Sequence, residues 1–522
     1  MKIKHWHWWL LIFILAIILR FYNLAAIPPS LNWDEVAIGW NANTIFHTRR
    51  DEFGTYLPLT FKSFGDYKAP VLIYLTAPFV GLFGLEPWAV RLPSVLAGIA
   101  TCLIMYFLAK EISWLLKIKN NNLFALISMF LLAISPWHLL FSRPAFEPNL
   151  ALMFIVIGSW LFLVSLRESR LWLLSGISFI LSLYTYHSPK LFLPIFLIGL
   201  SLIFKRELIK SIKGRPKLFA FYIILLISLA YPLIKVNFNE GGSQRLSSTS
   251  IFYDDKQQLR DLSVSLLKDI GANYFAHLKP QFYLQRNSDN TRLSLKNYGL
   301  MPILQYAVMI VGFILLLRYQ KNQGVQILLL WFLAGFIPAV IGKDVIPHNL
   351  RSLNGLPAVI LISGFGFNKV VSWAMTRRRL TYFLIICALV FILDYGRFIR
   401  DYFWQYPVYS AADWQYGYQE VVRFAKTYED QVDKIVISSA YGQPHIFTYF
   451  YQQRDPMEIF WGWMSKYSYG NINWEADQYL KNYLLVGAAD EIPNTILKDK
   501  GEIIKEINYP DGRVAFRIAR TF

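Results

Sequence analysis

Residues 68–84 read KAPVLIYLTAPFVGLFG, and the parity of every later segment hangs on whether they cross a membrane. If they did, the basic stretch KRELIKSIKGRPK at 205–217 and the arginine triplet Arg377–Arg379 would lie outside the cell. That would oppose the excess of Lys and Arg expected in cytoplasmic connections. The run is also short for the roughly 20 residues that span about 30 Å of hydrocarbon, and it carries Pro70 and Pro78. It therefore reads as a juxtamembrane or partly re-entrant helix on the outer face, within a first outer loop from 28 to 87.

Working outward, apolar runs fall at about 6–26, 88–109, 123–140, 149–166, 171–187, 190–204, 217–235, 299–317, 324–341, 353–373 and 380–397, which predicts about eleven transmembrane helices. The composition agrees: 55% of the 522 residues are hydrophobic and only 16% charged, so a membrane class replaces a soluble one. With Lys2 and Lys4 cytoplasmic, the connections at Lys117 and Lys119, Arg167 and Arg170, 205–217, Arg318 and Lys321, and Arg377–Arg379 are inside. The N-terminus is then in and the C-terminus out. The net charge of +18 is accounted for by these connections rather than by nucleic acid. Cys102 and Cys387 offer neither a disulfide framework nor a metal-ligand pair. No small-residue cleavage site follows the first apolar run, so it is expected to stay as a helix.

Two further outer segments are long, 237–298 and 398–522. The second has strand-like runs, KIVISS at 434–439 and YLLVG at 483–487, and a helix-like run, YQEVVRFAKTY at 418–428. The expected organisation is a transmembrane domain over 1–397 and a small soluble α/β domain on the outer face over 398–522.

Four polar clusters sit at the outer ends of helices. LNWDEVAIGWNA at 31–42 holds two adjacent carboxylates, Asp34 and Glu35, which suit a general base or, equally, helix capping. SFGDYKAPVLIYL at 63–75 holds Asp66 and Lys68, and Arg91 in AVRLPSVLAG is an intramembrane charge that needs a partner. SRPAFEPNLALMF at 142–154 holds Arg143 and Glu147, with His138 just before it; TYHSPKLF at 185–192 holds His187 and Lys190. GKDVIPHNLRSLNGLPA at 342–358 holds Lys343, Asp344, His348 and Arg351. Cations gathered on the face where basic residues are otherwise depleted suit an anionic head group. No Walker loop, Rossmann fingerprint, zinc-protease motif or nucleophile elbow is present.

At these residues, in order over about 1–200, the chain resembles the polytopic GT-C glycosyltransferases, in particular the bacterial group related to protein O-mannosyltransferases and the lipid A aminoarabinose transferase. The resemblance implies a sugar donor linked to polyprenyl phosphate and a catalytic carboxylate in the first outer loop. Asp34 matches that carboxylate, with Glu35 in support, and Lys68 matches the cation before the proline-containing helix. By position, Arg143, Lys190 and Arg351 join Lys68 in holding the donor phosphate, while Asp66, Glu147, His187 and His348 orient the sugar or acceptor. A glutamate that helps hold a metal in the aminoarabinose transferase is Tyr67 here, with Asp66 beside it. No metal ligand is therefore assigned, and a divalent metal stays an open option. The expected activity is transfer to a hydroxyl of a lipid, glycan or protein acceptor, with inversion, on the extracytoplasmic side of the plasma membrane. A flippase for lipid-linked sugars and a surface-polysaccharide polymerase or ligase are the competing classes.

Overall fold

The computed structural model describes all residues except 1–4, 239–246, 248, 255, 262, 344, 376–378, 461 and 463–465. Lys2, Lys4, Asp344, Arg377 and Arg378 thus lie outside the described residues. The chain divides into two compact units.

The first comprises 1–22, 66–71 and 94–401. It is helical because long apolar runs can satisfy their backbone in lipid only by internal hydrogen bonds. Among the described residues, five helices are long and apolar enough to cross a membrane: Pro87–Leu115, which continues from the second unit, Glu147–Ser165, Pro216–Val236, Gln323–Val340 and Leu353–Ala374. Asn121–Ala133 and Pro136–Ser142 make a sixth if their 55° bend is counted inside one span. Ser135 caps the second piece and Pro136 cannot continue the first, which is why the run breaks there. Length and composition alone thus support five or six spans, against the expected eleven. His5–Phe21, Leu171–Thr185, Ser188–Ile203 and Ile303–Tyr319 are apolar but shorter, and 380–397 lies within the helix Arg379–Arg400. A helix of 17 residues reaches only about 25 Å, short of the roughly 30 Å of hydrocarbon.

Packing in this unit uses small residues where helices meet. Ile303–Leu316 runs against Leu356–Met375. At the crossing, a Cβ on Gly312 would fall on the Ile362 carbonyl, and one on Gly366 on the Val308 carbonyl. Such close backbone approach is how helices associate in lipid, where no hydrophobic drive separates side chain from solvent.

The second unit comprises 23–65, 72–93 and 402–522. Its boundary therefore differs from the expected cut at 397/398: most of the first outer loop clusters with the C-terminal part. The helix Pro70–Phe83 has 14 residues, too short to span. A five-stranded sheet runs in the order Tyr467–Tyr469, Lys434–Ile437, Tyr483–Ala488, Val514–Thr521, Gly501–Asn508. The first three strands are parallel and the last two antiparallel. The runs KIVI and YLLVG are thus central strands, and YQEVVRFAK is the helix Tyr418–Lys426. Tyr418 stacks on Phe447 at 4.1 Å between ring centres, closing the core beside Phe516. The helix Trp33–Thr48 packs on Pro444–Gln452 in the same unit. Gly39 makes this possible, since a Cβ there would stand 2.6 Å from Phe450 and 2.7 Å from Val90.

Candidate functional site

The helix bearing Asp34 and Glu35 starts at Asn32. The Asn32 side chain accepts from the N–H of Asp34 (2.8 Å) and of Glu35 (3.1 Å), and Glu35 Oε2 accepts from Asn32 N–H (3.3 Å). This is a reciprocal capping box. Glu35 is completely buried. Arg91 Nε donates to Glu35 Oε1 at 3.0 Å and Arg91 Nη2 to Oε2 at 3.1 Å. The remaining Arg91 donors reach the carbonyls of Leu24 (2.9 Å), Pro28 (2.9 Å) and Ser30 (2.6 Å). The partner that Arg91 required is therefore Glu35, and the expected supporting carboxylate is occupied by an ion pair and a cap.

Asp34, one residue earlier, is half-buried. Its Oδ2 accepts from the Trp33 indole at 3.2 Å. Trp33 N–H donates to Gln415 Oε1 (2.8 Å), and Gln415 Nε2 donates to the Tyr441 carbonyl (2.6 Å), so the start of the helix is pinned within its unit. Two adjacent carboxylates thus have different surroundings, one sealed against a guanidinium and one half-buried beside an indole.

In the first unit a cavity of about 490 Å³ is lined by His187, Lys190, Thr249, Ser250 and Arg351, with aliphatic walls from Leu183, Leu191, Pro194, Leu197 and Ile234. It joins three of the residues singled out from sequence. Pro189 at the start of Ser188–Ile203 sets the turn that carries His187 and Lys190. Lys190 Nζ donates to His187 Nδ1 at 3.3 Å, which puts that ring's proton on Nε2. Thr249 and Ser250 arrive because 249–251 pairs with 341–343: Lys343 N–H donates to the Thr249 carbonyl (3.0 Å) and Ile251 N–H to the Ile341 carbonyl (2.8 Å). A Cβ on Gly342 would fall on Arg351 Nη1, so only glycine lets the guanidinium lie where it does.

The loop carrying Arg351 is held by two histidines. His348 was expected to orient sugar or acceptor; it is buried, and its Nδ1 accepts from Arg351 N–H at 3.3 Å. His277, which the sequence reading passed over, accepts from His348 N–H through Nε2 at 3.0 Å, and its Nδ1 meets the Asn273 carbonyl at 2.8 Å. Both rings are thus needed neutral. Burial pushes His277 down to about 4 and, with Arg351 and His277 adding to it, His348 down to about 3. The unfolded chain binds these protons near pH 6.5, so stability is full at neutral pH and falls as pH drops towards 4. At pH 5 each histidine is expected to cost about 2 kcal/mol. Thermal unfolding between pH 8 and 5 checks this; an unchanged midpoint from pH 7 to 5 would contradict it.

Other expected site residues fall elsewhere. Arg143 is completely buried, and its guanidinium donates to the carbonyls of Leu19 (2.7 Å), Arg20 (3.1 Å) and Tyr22 (2.6 Å). It closes the end of the first helix rather than lining the cavity. Glu147 is half-buried at the first turn of Glu147–Ser165, where its charge suits the helix dipole. Asp66 and Lys68 lie on the short strand Asp66–Lys68, with Asp66 Oδ1 accepting from Tyr67 N–H at 2.8 Å. Among the described residues no group of three or more His, Cys, Asp or Glu is placed to hold a metal ion.

Comparison with solved structures covers almost the whole chain. The apo form of ArnT from Cupriavidus metallidurans matches 98% of this chain and 98% of its own, with a TM-score of 0.58 at 12% identity. The undecaprenyl phosphate-bound form gives 0.56. The archaeal oligosaccharyltransferase of Archaeoglobus fulgidus matches 93% of this chain and 70% of its own at 0.54 and 12% identity. The chain has the GT-C glycosyltransferase fold. Within that GT-C framework the described helices make it a multi-pass membrane protein. The model of the dolichyl-phosphate-mannose-protein mannosyltransferase family matches residues 67–233, a stretch that includes Lys68, Arg143, Glu147 and Lys190 and leaves out Asp34 and Arg351. YkcB of Bacillus subtilis (strain 168), which carries a provisional mannosyltransferase name, is 24% identical over 238 residues. That match takes in 44% of this chain and 30% of the relative, so the chain spans under a third of that protein.

Proposed function

We propose that this GT-C protein is an inverting glycosyltransferase that moves a sugar from a polyprenyl-phosphate donor to an acceptor hydroxyl on the extracytoplasmic face of the plasma membrane. The observation that carries the reading is the cavity of the first unit, where Lys190, Arg351 and His187 share one space with aliphatic walls. An isoprenoid chain matches the walls and a phosphodiester matches the cations. The gross Coulomb attraction of one cation about 4 Å from the phosphate is roughly 4 kcal/mol at an effective dielectric near 20, much of it offset by desolvation. Solved relatives in complex with undecaprenyl phosphate and with dolichol-phosphate support the donor class.

In the step itself, the acceptor hydroxyl gives its proton to the Asp34 carboxylate. Its oxygen attacks the anomeric carbon, the bond from that carbon to the phosphate oxygen breaks, and the electron pair leaves on the phosphate. The leaving phosphomonoester carries more negative charge than the diester, so cations there favour the transition state over the ground state. Lys190 and Arg351 take this role, with Lys68 kept in it from the family pattern. Asp66, Glu147 and His187 orient the sugar or acceptor. Glu35, Arg143 and His348 are assigned to positioning, because their polar atoms are committed to an ion pair, to three carbonyls and to the loop of Arg351.

The test is transfer from a panel of radiolabelled polyprenyl-phosphate sugars into extractable product, with purified protein in detergent. Transfer from one donor is expected; binding of the lipid with no transfer from any donor would overturn the reading in favour of transport. Arg351→Ala and Lys190→Ala are each expected to lower kcat/KM for the donor about 10- to 100-fold, the range for one charge-assisted hydrogen bond, with part of the loss in kcat. An unchanged kcat/KM in both would remove the cavity from the donor site.

A further inference from the structure

The second unit carries a separate groove of about 360 Å³ on the outer side of the helix Tyr418–Lys426. That helix buries Tyr418, Val421, Val422 and Ala425 and turns Gln419, Glu420 and Arg423 the other way. It starts at Gly417, whose φ of +104° favours glycine and brings Tyr416 to the groove. Across from the helix, the strand Gly501–Asn508 supplies Lys505. Lys505 Nζ meets Glu420 Oε1 at 2.7 Å and stands 4.8 Å over the Phe424 ring. Pro29 and Ser30 close one end. The Ser30 backbone is held from behind by Arg91, so this wall is set by the same ion pair that occupies Glu35.

The lining combines planar hydrogen-bonding groups (Gln419, Glu420, Arg423) with two aromatic rings (Tyr416, Phe424). An aliphatic chain placed here would desolvate Arg423, Glu420 and Lys505 without return. A saccharide fits the inventory: its hydroxyls pair with the amide, carboxylate and guanidinium, and its C–H faces lie on the rings. Lys505 is neutralised by Glu420, whereas exposed Arg423 has no ion-pair partner among the described residues. Its free fork suits a carboxylate on the sugar, bound side-on through two hydrogen bonds.

We infer that this groove binds an acidic glycan segment, and, resting on the glycosyltransferase reading above, that the acceptor is a saccharide rather than a protein or lipid. The test is binding without donor, so that it does not depend on transfer. Full-length protein in nanodiscs is titrated with two end-labelled trisaccharides, one of neutral hexoses and one containing a uronic acid. The acidic probe is expected to bind more tightly. Arg423→Glu should weaken it at least tenfold and the neutral probe less than twofold, and Gln419→Ala should weaken both. Saturable binding of neither probe, binding unchanged in both variants, or equal affinity for the two probes would each overturn the inference. Loss of transfer in an Asp34→Asn protein that still binds the acidic probe bears on the catalytic reading alone.

Discussion

An Asp34→Asn protein is expected to fold normally, keep its donor affinity and lose about 10²- to 10⁴-fold in transfer rate, the usual contribution of a positioned base. The amide keeps the shape and the hydrogen bond from the Trp33 indole, while removing the group that takes a proton. The helix start does not depend on the carboxylate, because Asn32 makes the cap and Gln415 holds the backbone of Trp33. The defect should therefore sit in kcat and leave KM for the donor nearly unchanged. Single-turnover transfer with a saturating labelled donor reads it directly. Full activity in a well-folded Asp34→Asn protein would remove Asp34 from the chemistry.

The neighbouring carboxylate should behave in the opposite way. Glu35→Ala leaves the Arg91 guanidinium buried with its ion pair gone, and Arg91→Ala leaves a buried carboxylate together with the carbonyls of Leu24, Pro28 and Ser30 unpaired. Removing one partner of a buried pair costs about 3–5 kcal/mol. Each single variant should melt well below the wild type and show faster amide exchange over residues 24–35. The double replacement Glu35→Leu with Arg91→Leu should be less damaging than either single charge deletion, since no isolated buried charge remains. A Glu35→Ala protein as stable as the wild type but inactive would reverse the roles assigned to the two carboxylates.

These two residues also mark how far local reading reaches. Nothing in DE at 34–35 says which carboxylate is sealed; Arg91 does, from 56 positions along the chain. The cap was legible, because Asn32 and Glu35 stand at capping-box spacing. Arg143 and Arg351 looked alike as cations at outer helix ends. Arg143 turned inward to three carbonyls of the first helix end, and Arg351 reached a cavity against a glycine. His277 gave no signal, since a single histidine on an amphipathic helix is an ordinary sight. Its role appeared only once the chain returned at His348.

What the amino-acid sequence determined by itself was the membrane class, the helical character of the apolar runs, the strands KIVI and YLLVG, and the short proline-bearing helix at 70–83. Each of these is set by hydropathy, periodicity and caps within one contiguous stretch. Tertiary structure alone decided the partners of the buried charges, the grouping of most of the first outer loop with residues 402–522 in one unit, and the two cavities. Those depend on groups far apart in the chain meeting in low dielectric, where an unpaired charge or carbonyl costs several kcal/mol and so dictates which approach survives.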